Sequence, residues 1–431
     1  MTFRRTEYRA GRRALATLLV LLAPAVAAEP EGFSVSEIER IAAHGPWPPD
    51  WAPDPGNRVS ANAAAIRLGH QLFFDPRLSS NGGVACATCH DPARGFQDGR
   101  ATARGLAEAT RNTPGLLDVR HQRWFGWDGA HDSLWAASLR PILDPREMGG
   151  SAARAATLLR RSAALACHYR QAFGKAPGAR DPELLVNVAK AIASWQETLV
   201  SPPTPFDRFR DALERKDVAA AAAYPAAARR GLKIFLGRGQ CSTCHAGPLF
   251  SNGEFGDIGV PFFIKPAGVD PGRQGGVKHL LASSYNLLGA HNDDATRGNA
   301  TGTRYLRPEH RNFGEFKVPS LRNLKLTAPY MHDGSIATLR EVVRHYSDLD
   351  EDRLHSDGER ILKPLGLTDA ESEDLVAFLE SLSPTGPIAT AIKPEPDRAC
   401  LKATQVSRIP ATGPAVATRK RAGTDRKLRG N

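Results

Sequence analysis

Two five-residue units in this 431-residue chain carry the side chains best suited to chemistry. The first is Cys-Ala-Thr-Cys-His at residues 86–90, and the second is Cys-Ser-Thr-Cys-His at residues 241–245. Two cysteines at this spacing can each form a thioether to a haem vinyl group, and the histidine that follows can then ligate the iron. The sequence therefore predicts two covalently bound haem c groups, one on Cys86, Cys89 and His90, the other on Cys241, Cys244 and His245.

Other uses of paired cysteines fit this pattern less well. A zinc ribbon places its two Cys-x-x-Cys units roughly 15–20 residues apart, whereas these units begin at residues 86 and 241. A thioredoxin-like redox pair does not need a histidine directly after both copies. Disulfides within each unit are possible in an exported chain, but the duplicated histidine favours haem.

The stretches that precede the two units form an internal repeat. Residues 64–90, "AAIRLGHQLFFDPRLSSNGGVACATCH", match residues 226–245, "AAARRGLKIFLGRGQCSTCH". Both copies share a glycine, a phenylalanine four residues later and a second phenylalanine after the unit: Gly69, Phe73 and Phe96 in the first, Gly231, Phe235 and Phe250 in the second. Two fused copies of one small haem-binding fold explain this pattern.

The remaining patterns indicate helices and loops. Apolar residues spaced three and four apart predict helices in residues 151–200, and capping boxes at Thr338 and Thr368 predict two more. Residues 251–320 are rich in Gly, Asn and Pro, which predicts an ordered loop over a cofactor, and residues 46–56 predict an extended lead-in. Because strand alternation is absent, we expect a mainly α protein of two fused cytochrome c-like haem domains with long ordered loops.

The two ends of the chain differ from its body. Residues 1–28 have an arginine cluster, an apolar run too short for a membrane span and a small-residue exit, which predicts a signal peptide and a periplasmic protein that does not span the membrane. We expect a first haem domain over residues 29–210 and a second over residues 211–384. Residues 385–431 are rich in Pro, Thr, Ala and basic residues and predict a disordered tail.

Nucleic-acid binding is not indicated, although the net charge is +11. Residues 1–13 hold five Arg and one Glu, and residues 393–431 hold ten Lys or Arg and three Asp or Glu. The body between these ends is therefore close to neutral, and it lacks the basic surface that nucleic acid requires.

Two cysteines lie outside the haem-type units. We interpret Cys167 as a buried small residue and Cys400 as a thiol of the tail, since neither has a neighbouring cysteine or histidine in a unit of that kind.

The chain resembles the bacterial di-haem cytochrome c peroxidases and the related methylamine-utilisation-type enzymes. The resemblance covers about residues 60–383, and besides the two units it rests on four segments in order: "TRNTPGLLDV" (110–119), "FGWDGAHDSLWAASLRPILDPREMGG" (125–150), "FKVPSLRNLKLTAPYMHDGSIATLREVVRHY" (316–346) and "LVAFLESL" (375–382). It implies a peroxide-binding haem in the first domain and an electron-transfer haem in the second.

The resemblance also implies roles for residues around the first haem. Glu147 matches the family's carboxylate over that haem, and a carboxylate suits the proton transfer that O–O cleavage requires. Pro141 narrows the same pocket, and Trp127 matches the tryptophan that carries electrons between the haems. Asn112, Thr327 and Pro329 match positions that hold one calcium ion, for which amide and main-chain oxygens are suitable donors.

The second haem departs from the peroxidase pattern. Where ordinary members of the family place a methionine ligand, this chain has Tyr346, as in the methylamine-utilisation type, and His345 is the alternative ligand. The position of a distal glutamine in many relatives is Ala137. No histidine lies between His90 and His121, so we expect the first iron to be five-coordinate.

These features predict a periplasmic di-haem peroxidase. It would reduce hydrogen peroxide with electrons from a small periplasmic redox protein, a cytochrome c or a cupredoxin. Two alternatives stay open: an enzyme that oxidises side chains of a protein substrate, and a di-haem electron carrier without peroxide chemistry.

Overall fold

The computed structural model of the protein describes residue 2 and residues 32–260, 268–358, 361–386 and 400. Nearly all of the predicted signal peptide and most of the predicted tail lie outside these residues. Among the described residues, no helix combines the length and the apolar character that a bilayer span requires.

Helices supply most of the regular structure, as the sequence predicts. The first eight are α1 Val35–Ala42, α2 Ala63–Phe73, α3 Cys86–Cys89, α4 Leu134–Leu143, α5 Ala152–Arg161, α6 Ala163–Phe173, α7 Asp181–Gln196 and α8 Pro205–Glu214. The next six are α9 Val218–Ala222, α10 Ala226–Leu236, α11 Gly272–Ala282, α12 Thr301–Arg304, α13 Leu339–Ser347 and α14 Asp369–Glu380. Two short strands, β1 Phe255–Gly256 and β2 Phe316–Lys317, pair antiparallel. The predicted mainly α fold is confirmed.

Single 3-10 turns join many of these helices. They cover Pro76–Leu78, Pro92–Arg94, Val119–His121, Cys241–Thr243, Gly298–Ala300, His310–Asn312, Leu324–Leu326 and Glu351–Arg353.

Local sequence signals explain where the helices begin. The capping boxes predicted at Thr338 and Thr368 are both present, with each threonine accepting the backbone N–H three residues on. Residues 151–200, predicted to be helical, contain α5, α6 and α7. Pro205 is the first residue of α8, where a missing N–H has no cost.

Two apolar cores organise the described chain. The first is built around α2, α4, α5, α6 and α7, and the second around α1, α8, α10, α13 and α14. The predicted domain boundary between residues 210 and 211 falls inside α8, whose Phe206 and Phe209 pack in the second core together with Phe33. Phe33, near the start of the described chain, thus belongs to the second core, although the residues of the first core follow it in sequence.

The lead-in of residues 46–56 has no regular helix or strand and lies against both halves. Trp47 is buried, and its Nε1 donates to the carbonyl of Ser201 at 2.9 Å. The guanidinium of Arg322 lies 3.4 Å from the centre of its ring, and Arg322 also forms a buried ion pair with Asp207 at 2.9 Å. The contact between the Trp47 ring and Arg322 therefore holds the lead-in against the second half.

The internal repeat appears as two matching helix crossings. A Cβ atom added at Gly69 of α2 would lie 1.9 Å from the carbonyl oxygen of Ala191 in α7. A Cβ atom added at Gly231 of α10 would lie 2.0 Å from the carbonyl oxygen of Asp374 in α14. Only glycine allows helices to approach so closely, so the repeat preserves this crossing in both halves.

A second pair of segments repeats after the two units. Isolated bridges join Phe125 to His131 and Tyr330 to Ile336, and each is followed by a capped helix, α4 or α13. Pro141 and Tyr346 are each the eighth residue of their helix. The two halves therefore place these residues at equivalent points.

The structure corrects two expectations. The predicted loop of residues 251–320 contains the eleven-residue helix α11, and Gly276 on that helix packs against the Asp128 carbonyl, where a Cβ would lie only 2.1 Å away. Cys167 and Cys400 form a disulfide, and Cys167 is only partly buried. Cys400 is thus joined to α6 rather than being a tail thiol.

Candidate haem-binding sites

The first unit is folded so that its histidine presents one ring nitrogen. Cys86 and Cys89 lie on α3, and the His90 N–H donates to the Cys86 carbonyl at 2.9 Å. His90 Nδ1 donates to the Phe96 carbonyl at 2.8 Å, which assigns the proton to Nδ1 and leaves the lone pair of Nε2 for a metal. Burial lowers the pKa of His90, so the ring is neutral at pH 7.

The second unit has the same arrangement. The His245 N–H donates to the Cys241 carbonyl at 2.9 Å, and His245 Nδ1 donates to the Phe250 carbonyl at 2.9 Å. Phe96 and Phe250 both have left-handed backbones, with φ of 62° and 51°. Non-glycine residues rarely adopt this conformation, and here it accompanies the carbonyls that hold the two histidines.

The four cysteines of the units are available for attachment. None of them takes part in a disulfide in the described part of the chain. Burial raises the pKa of the Cys86 thiol to about 12 and that of the Cys89 thiol to about 11, so these are thiols rather than thiolates at neutral pH. Across residues 32–260, 268–358 and 361–386, no group of three His, Cys, Asp or Glu residues could hold a metal ion. A neutral imidazole beside two thiols, without further ligands, fits covalent haem and not a zinc cluster.

Glu147 lies beside the first unit. Its negative charge disfavours ionisation of the Cys86 and Cys89 thiols and favours protonation of His90, where the larger effect of burial still lowers the pKa. The Glu147 carbonyl accepts the Leu106 N–H at 3.0 Å, and a Cβ atom at Gly105 would lie 2.4 Å from that oxygen. Close backbone packing therefore fixes the residue that carries the carboxylate.

Arg140 contacts Glu147, and no sequence motif singles it out. Its guanidinium forms an ion pair with the Glu147 carboxylate and a second one with Asp144 at 3.1 Å. Arg140 directly precedes Pro141 on α4, and the Pro141 carbonyl accepts the Met148 N–H at 3.1 Å. The loop that holds Glu147 is thus folded back on the helix that holds Pro141. The only sequence signal for this pairing is a basic residue seven positions before an acidic one across a Pro-containing turn.

Trp127 lies at the junction of the two halves. Its Nε1 donates to the Asn112 carbonyl at 2.9 Å, and its own carbonyl accepts the Lys317 N–H of β2 at 2.7 Å. The next residue, Asp128, forms an ion pair with Arg111 at 2.7 Å, and Arg111 also binds Asp270 at 2.7 Å. These contacts position the Trp127 turn against the second half from both sides.

The residues predicted to hold calcium lie on segments that contact each other. The Asn112 N–H donates to the His332 carbonyl at 2.8 Å. Gln97 Nε2 donates to the carbonyls of Leu326 and Ala328, which flank Thr327 and precede Pro329. The structure therefore brings Asn112 to the 326–332 segment.

Tyr346 lies beside the second unit. Burial raises the pKa of its phenol well above the ordinary value, and the thiols of Cys241 and Cys244 act on it in the same direction. The alternative, His345, has its Nε2 2.7 Å from the Ile258 carbonyl, so this nitrogen is already engaged with the main chain. Of these two neighbours, Tyr346 is the one that interacts with the cysteines of the unit.

Comparison with known proteins identifies relatives along most of the chain. Residues 63–215 match the family described as di-haem cytochrome c peroxidase. The chain is 37% identical over 319 residues to the methylamine utilization protein MauG of Methylorubrum extorquens, covering 74% of this chain and 77% of that protein. It is 35% identical over 348 residues to a cytochrome-c peroxidase of Denitromonas iodatirespirans, covering 80% and 87%. A solved MauG-like protein associated with microbial copper homeostasis superposes with a TM-score of 0.60 at 27% identity, over 80% and 97% of the two chains.

Proposed function

Because the chain belongs to the di-haem cytochrome c peroxidase family, we propose that it reduces hydrogen peroxide with electrons from a small redox protein, a cytochrome c or a cupredoxin. Members of this family are oxidoreductases with two haem c groups. The observation that carries the proposal is the Glu147 carboxylate beside the first Cys-x-x-Cys-His unit.

Both units are suited to hold a haem. In this proposal Cys86 and Cys89 bind the first group and His90 ligates its iron, while Cys241, Cys244 and His245 do the same for the second. When bound, the first haem supplies an iron position at which peroxide is taken up and reduced. The carbonyls of Phe96 and Phe250 orient the two histidines and fix their tautomers.

Glu147 moves a proton between the two oxygens of peroxide. A carboxylate at hydrogen-bond distance can accept the proton of one oxygen and return it to the departing one, which converts a poor leaving group into water. The ion pair with Arg140 holds the carboxylate in one orientation. Ala137 and Pro141 on α4 have no side chain that could donate or accept a proton. Of these three residues, Glu147 is therefore the one that can carry it.

Trp127 supports transfer between the two halves. Its indole donates to the Asn112 carbonyl and its own carbonyl accepts the Lys317 N–H, and we assign to the indole the relay of electrons from the second site to the first. We also assign one calcium ion to Asn112, Thr327 and Pro329, because amide and main-chain oxygens suit this hard cation.

A periplasmic location is part of the proposal. The predicted signal peptide supports it, and so does the Cys167–Cys400 disulfide. Disulfides persist in oxidising compartments and are rare in a reducing cytosol.

A second candidate function is the oxidation of side chains in a protein substrate. The position of Tyr346 beside Cys241 and Cys244 favours it. An anionic phenol oxygen as an iron ligand stabilises higher oxidation states than methionine does, which suits an enzyme that stores oxidising equivalents rather than turning over quickly.

Spectroscopy and turnover separate these functions. Electron paramagnetic resonance of the oxidised holoenzyme should show one high-spin haem, whereas two low-spin signals would indicate an electron carrier. Peroxide followed by reduced cytochrome c should give rapid donor oxidation for a peroxidase. Slow donor oxidation with a long-lived oxidised state would instead support protein modification.

A substitution tests the assignment of Tyr346. In Tyr346→Phe the spectrum of the second haem should change while that of the first stays the same, because only the second loses a ligand. Tyr346→Met should restore a six-coordinate second haem. An unchanged spectrum in Tyr346→Phe would remove this residue as a ligand.

A further inference from the structure

Each half packs three aromatic rings into one cluster, and one residue of each cluster, Phe96 or Phe250, binds the histidine of its unit through its carbonyl. In the first half these are Phe73, Phe96 and Trp195, with the Trp195 ring 4.4 Å from Phe73 and 6.0 Å from Phe96. In the second half they are Phe235, Phe250 and Phe378, with the Phe378 ring 4.9 Å from Phe235 and 6.2 Å from Phe250. The two clusters have nearly the same geometry.

The glycine crossings show which residues correspond. Gly69 faces the Ala191 carbonyl and Gly231 faces that of Asp374. Trp195 and Phe378 each lie four residues after those carbonyls, one helical turn further on α7 and α14. The clusters thus differ in one respect: the first half has an indole where the second has a phenyl ring. An indole can lose an electron at potentials that leave a phenyl ring unchanged.

The surroundings of Trp195 favour loss of an electron without loss of a proton. Its side chain is 1% exposed, and among the described residues its Nε1–H has no hydrogen-bond acceptor. Oxidation there leaves the proton on the ring.

The rings around Trp195 connect His90 with the surface. On one side the Phe73 ring lies 6.4 Å from the His90 ring. On the other side Trp195 lies 5.5 Å from His70 and 5.7 Å from Phe74, whose side chain is 39% exposed. His70 and Phe74 line a surface cleft of about 420 Å³.

The second half has no equivalent exit. The residue that corresponds to His70, directly after the crossing glycine, is Leu232, which is fully buried. Of the two corresponding clusters in the described residues, the one with an indole in contact with a half-exposed ring is therefore in the half to which peroxide chemistry is assigned.

We infer that Trp195 is a redox relay on the His90 side of the first haem, linking that haem to the cleft at His70 and Phe74 by a route separate from Trp127. This inference rests on the proposed peroxide reduction. Trp195 gives one electron to the oxidised first site and becomes an indole radical cation that keeps its Nε1 proton. It regains one electron from a one-electron donor at the cleft, a small redox protein, and two such cycles supply the two electrons that one peroxide consumes.

Radical spectroscopy tests the relay without measuring turnover. Holoenzyme with the background substitution Trp127→Phe is treated with one equivalent of hydrogen peroxide, without donor, and frozen. Electron paramagnetic resonance should show an organic radical whose hyperfine pattern narrows when the tryptophans carry deuterated indoles. Adding Trp195→Phe should reduce this signal at least fivefold, and the fold should persist because Phe378 occupies the same place in the second half.

Trp135→Phe is the matched control. Trp135 is also fully buried with an Nε1 that lacks an acceptor among the described residues, but Lys190 Nζ lies 5.3 Å from its ring and opposes a positive charge there. The radical should survive this substitution. An equal signal with and without Trp195, or a signal lost in Trp135→Phe instead, overturns the relay.

A second measurement needs no variant. After repeated peroxide additions without donor, peptide mass spectrometry of the natural sequence should find added oxygen on Trp195 and His70 before Trp135. Preferential oxidation of Trp135 overturns the inference. If peroxide leaves the haem absorption unchanged, the proposed peroxidase function itself fails; if the absorption changes but neither Trp195 nor its radical responds, only the relay fails.

Discussion

Asp118 and Asn323 occupy equivalent positions in the two halves and are hydrogen-bonded to each other, with Asn323 Nδ2 donating to Asp118 Oδ2 at 3.1 Å. Both residues have left-handed backbones, with φ of 64° and 66°, and both directly precede a 3-10 turn. Both are buried. Asp118 also accepts the N–H and the hydroxyl of Ser201, each at 2.7 Å. This hydrogen bond therefore joins the two halves at residues that have the same backbone conformation and the same place before a 3-10 turn.

Asp118→Ala should destabilise the protein by about 3 kcal/mol or more, since buried donors on Ser201 and Asn323 lose their acceptor and alanine is strained at positive φ. Asn323→Gly removes one hydrogen bond but relieves the backbone, so it should cost about 1 kcal/mol or less. Urea-unfolding free energies measure both. Equal losses in the two variants would contradict this account.

Glu147→Gln should lower kcat/KM for peroxide about 100-fold or more, because the amide cannot accept and return a proton. Haem content and the spectrum of the second haem should stay unchanged. Asp144→Asn is the matched control, since it also removes a carboxylate from Arg140 but not the one beside the cysteines; its kcat/KM should stay within about threefold. A comparable loss in both variants would assign the effect to Arg140 instead.

Stability should fall as the pH rises through the titration of Glu197. Burial raises the pKa of this carboxyl from 4.5 to about 7, and its side chain is only 4% exposed. Between about pH 4.5 and pH 7, Glu197 is therefore protonated in the folded state and ionised in the unfolded state. The stabilisation that this proton gives to the folded state is fully present below about pH 4.5 and is lost as the pH rises through about 7. The loss amounts to about 3 kcal/mol.

Glu197→Gln isolates this effect. The amide oxygen can still accept from Ser60 Oγ and the Ala61 N–H, but it does not titrate, so the unfolding free energy should fall less between pH 5 and pH 8. Glu39→Gln, at an exposed position, should keep the slope of the natural sequence. An unchanged slope in Glu197→Gln would show that other groups cause it.

Cys400→Ser should lower the unfolding free energy by roughly 2–5 kcal/mol, because the disulfide to Cys167 closes a long loop in the unfolded chain. Cys167→Ser should have the same effect, and the double variant should be no less stable than either single one. Calorimetry of the three variants measures this. Additive losses would mean that the two side chains act through packing and not through their bond.

Much of the architecture follows from local sequence patterns. The capping boxes at Thr338 and Thr368 involve neighbours three residues apart, and the repeat of Gly69 and Gly231 is a direct consequence of close helix packing. The helix Gly272–Ala282 was not predicted, because two glycines interrupt its apolar spacing and its formation depends on contact with Asp128. Tertiary packing outweighs helix propensity there.

The site was predicted to the extent that its residues lie in contiguous motifs. Phe96 and Phe250 follow their units closely in sequence, but that their carbonyls bind the histidines depends on positive φ, which phenylalanine does not signal. The Arg140–Glu147 ion pair depends on how one turn folds back. The disulfide joins cysteines 233 residues apart, and no pattern in the sequence fixes such a partner.

Pro141 and Tyr346 stand at the same point of two corresponding helices. A gene duplication that doubled the ancestral fold would have produced two identical sites. One further change at this point suffices to make them unlike, since a pyrrolidine ring offers an iron no donor atom and a phenol offers oxygen. Such divergence needs no rearrangement of the main chain, so two initially identical halves can acquire different functions through single substitutions.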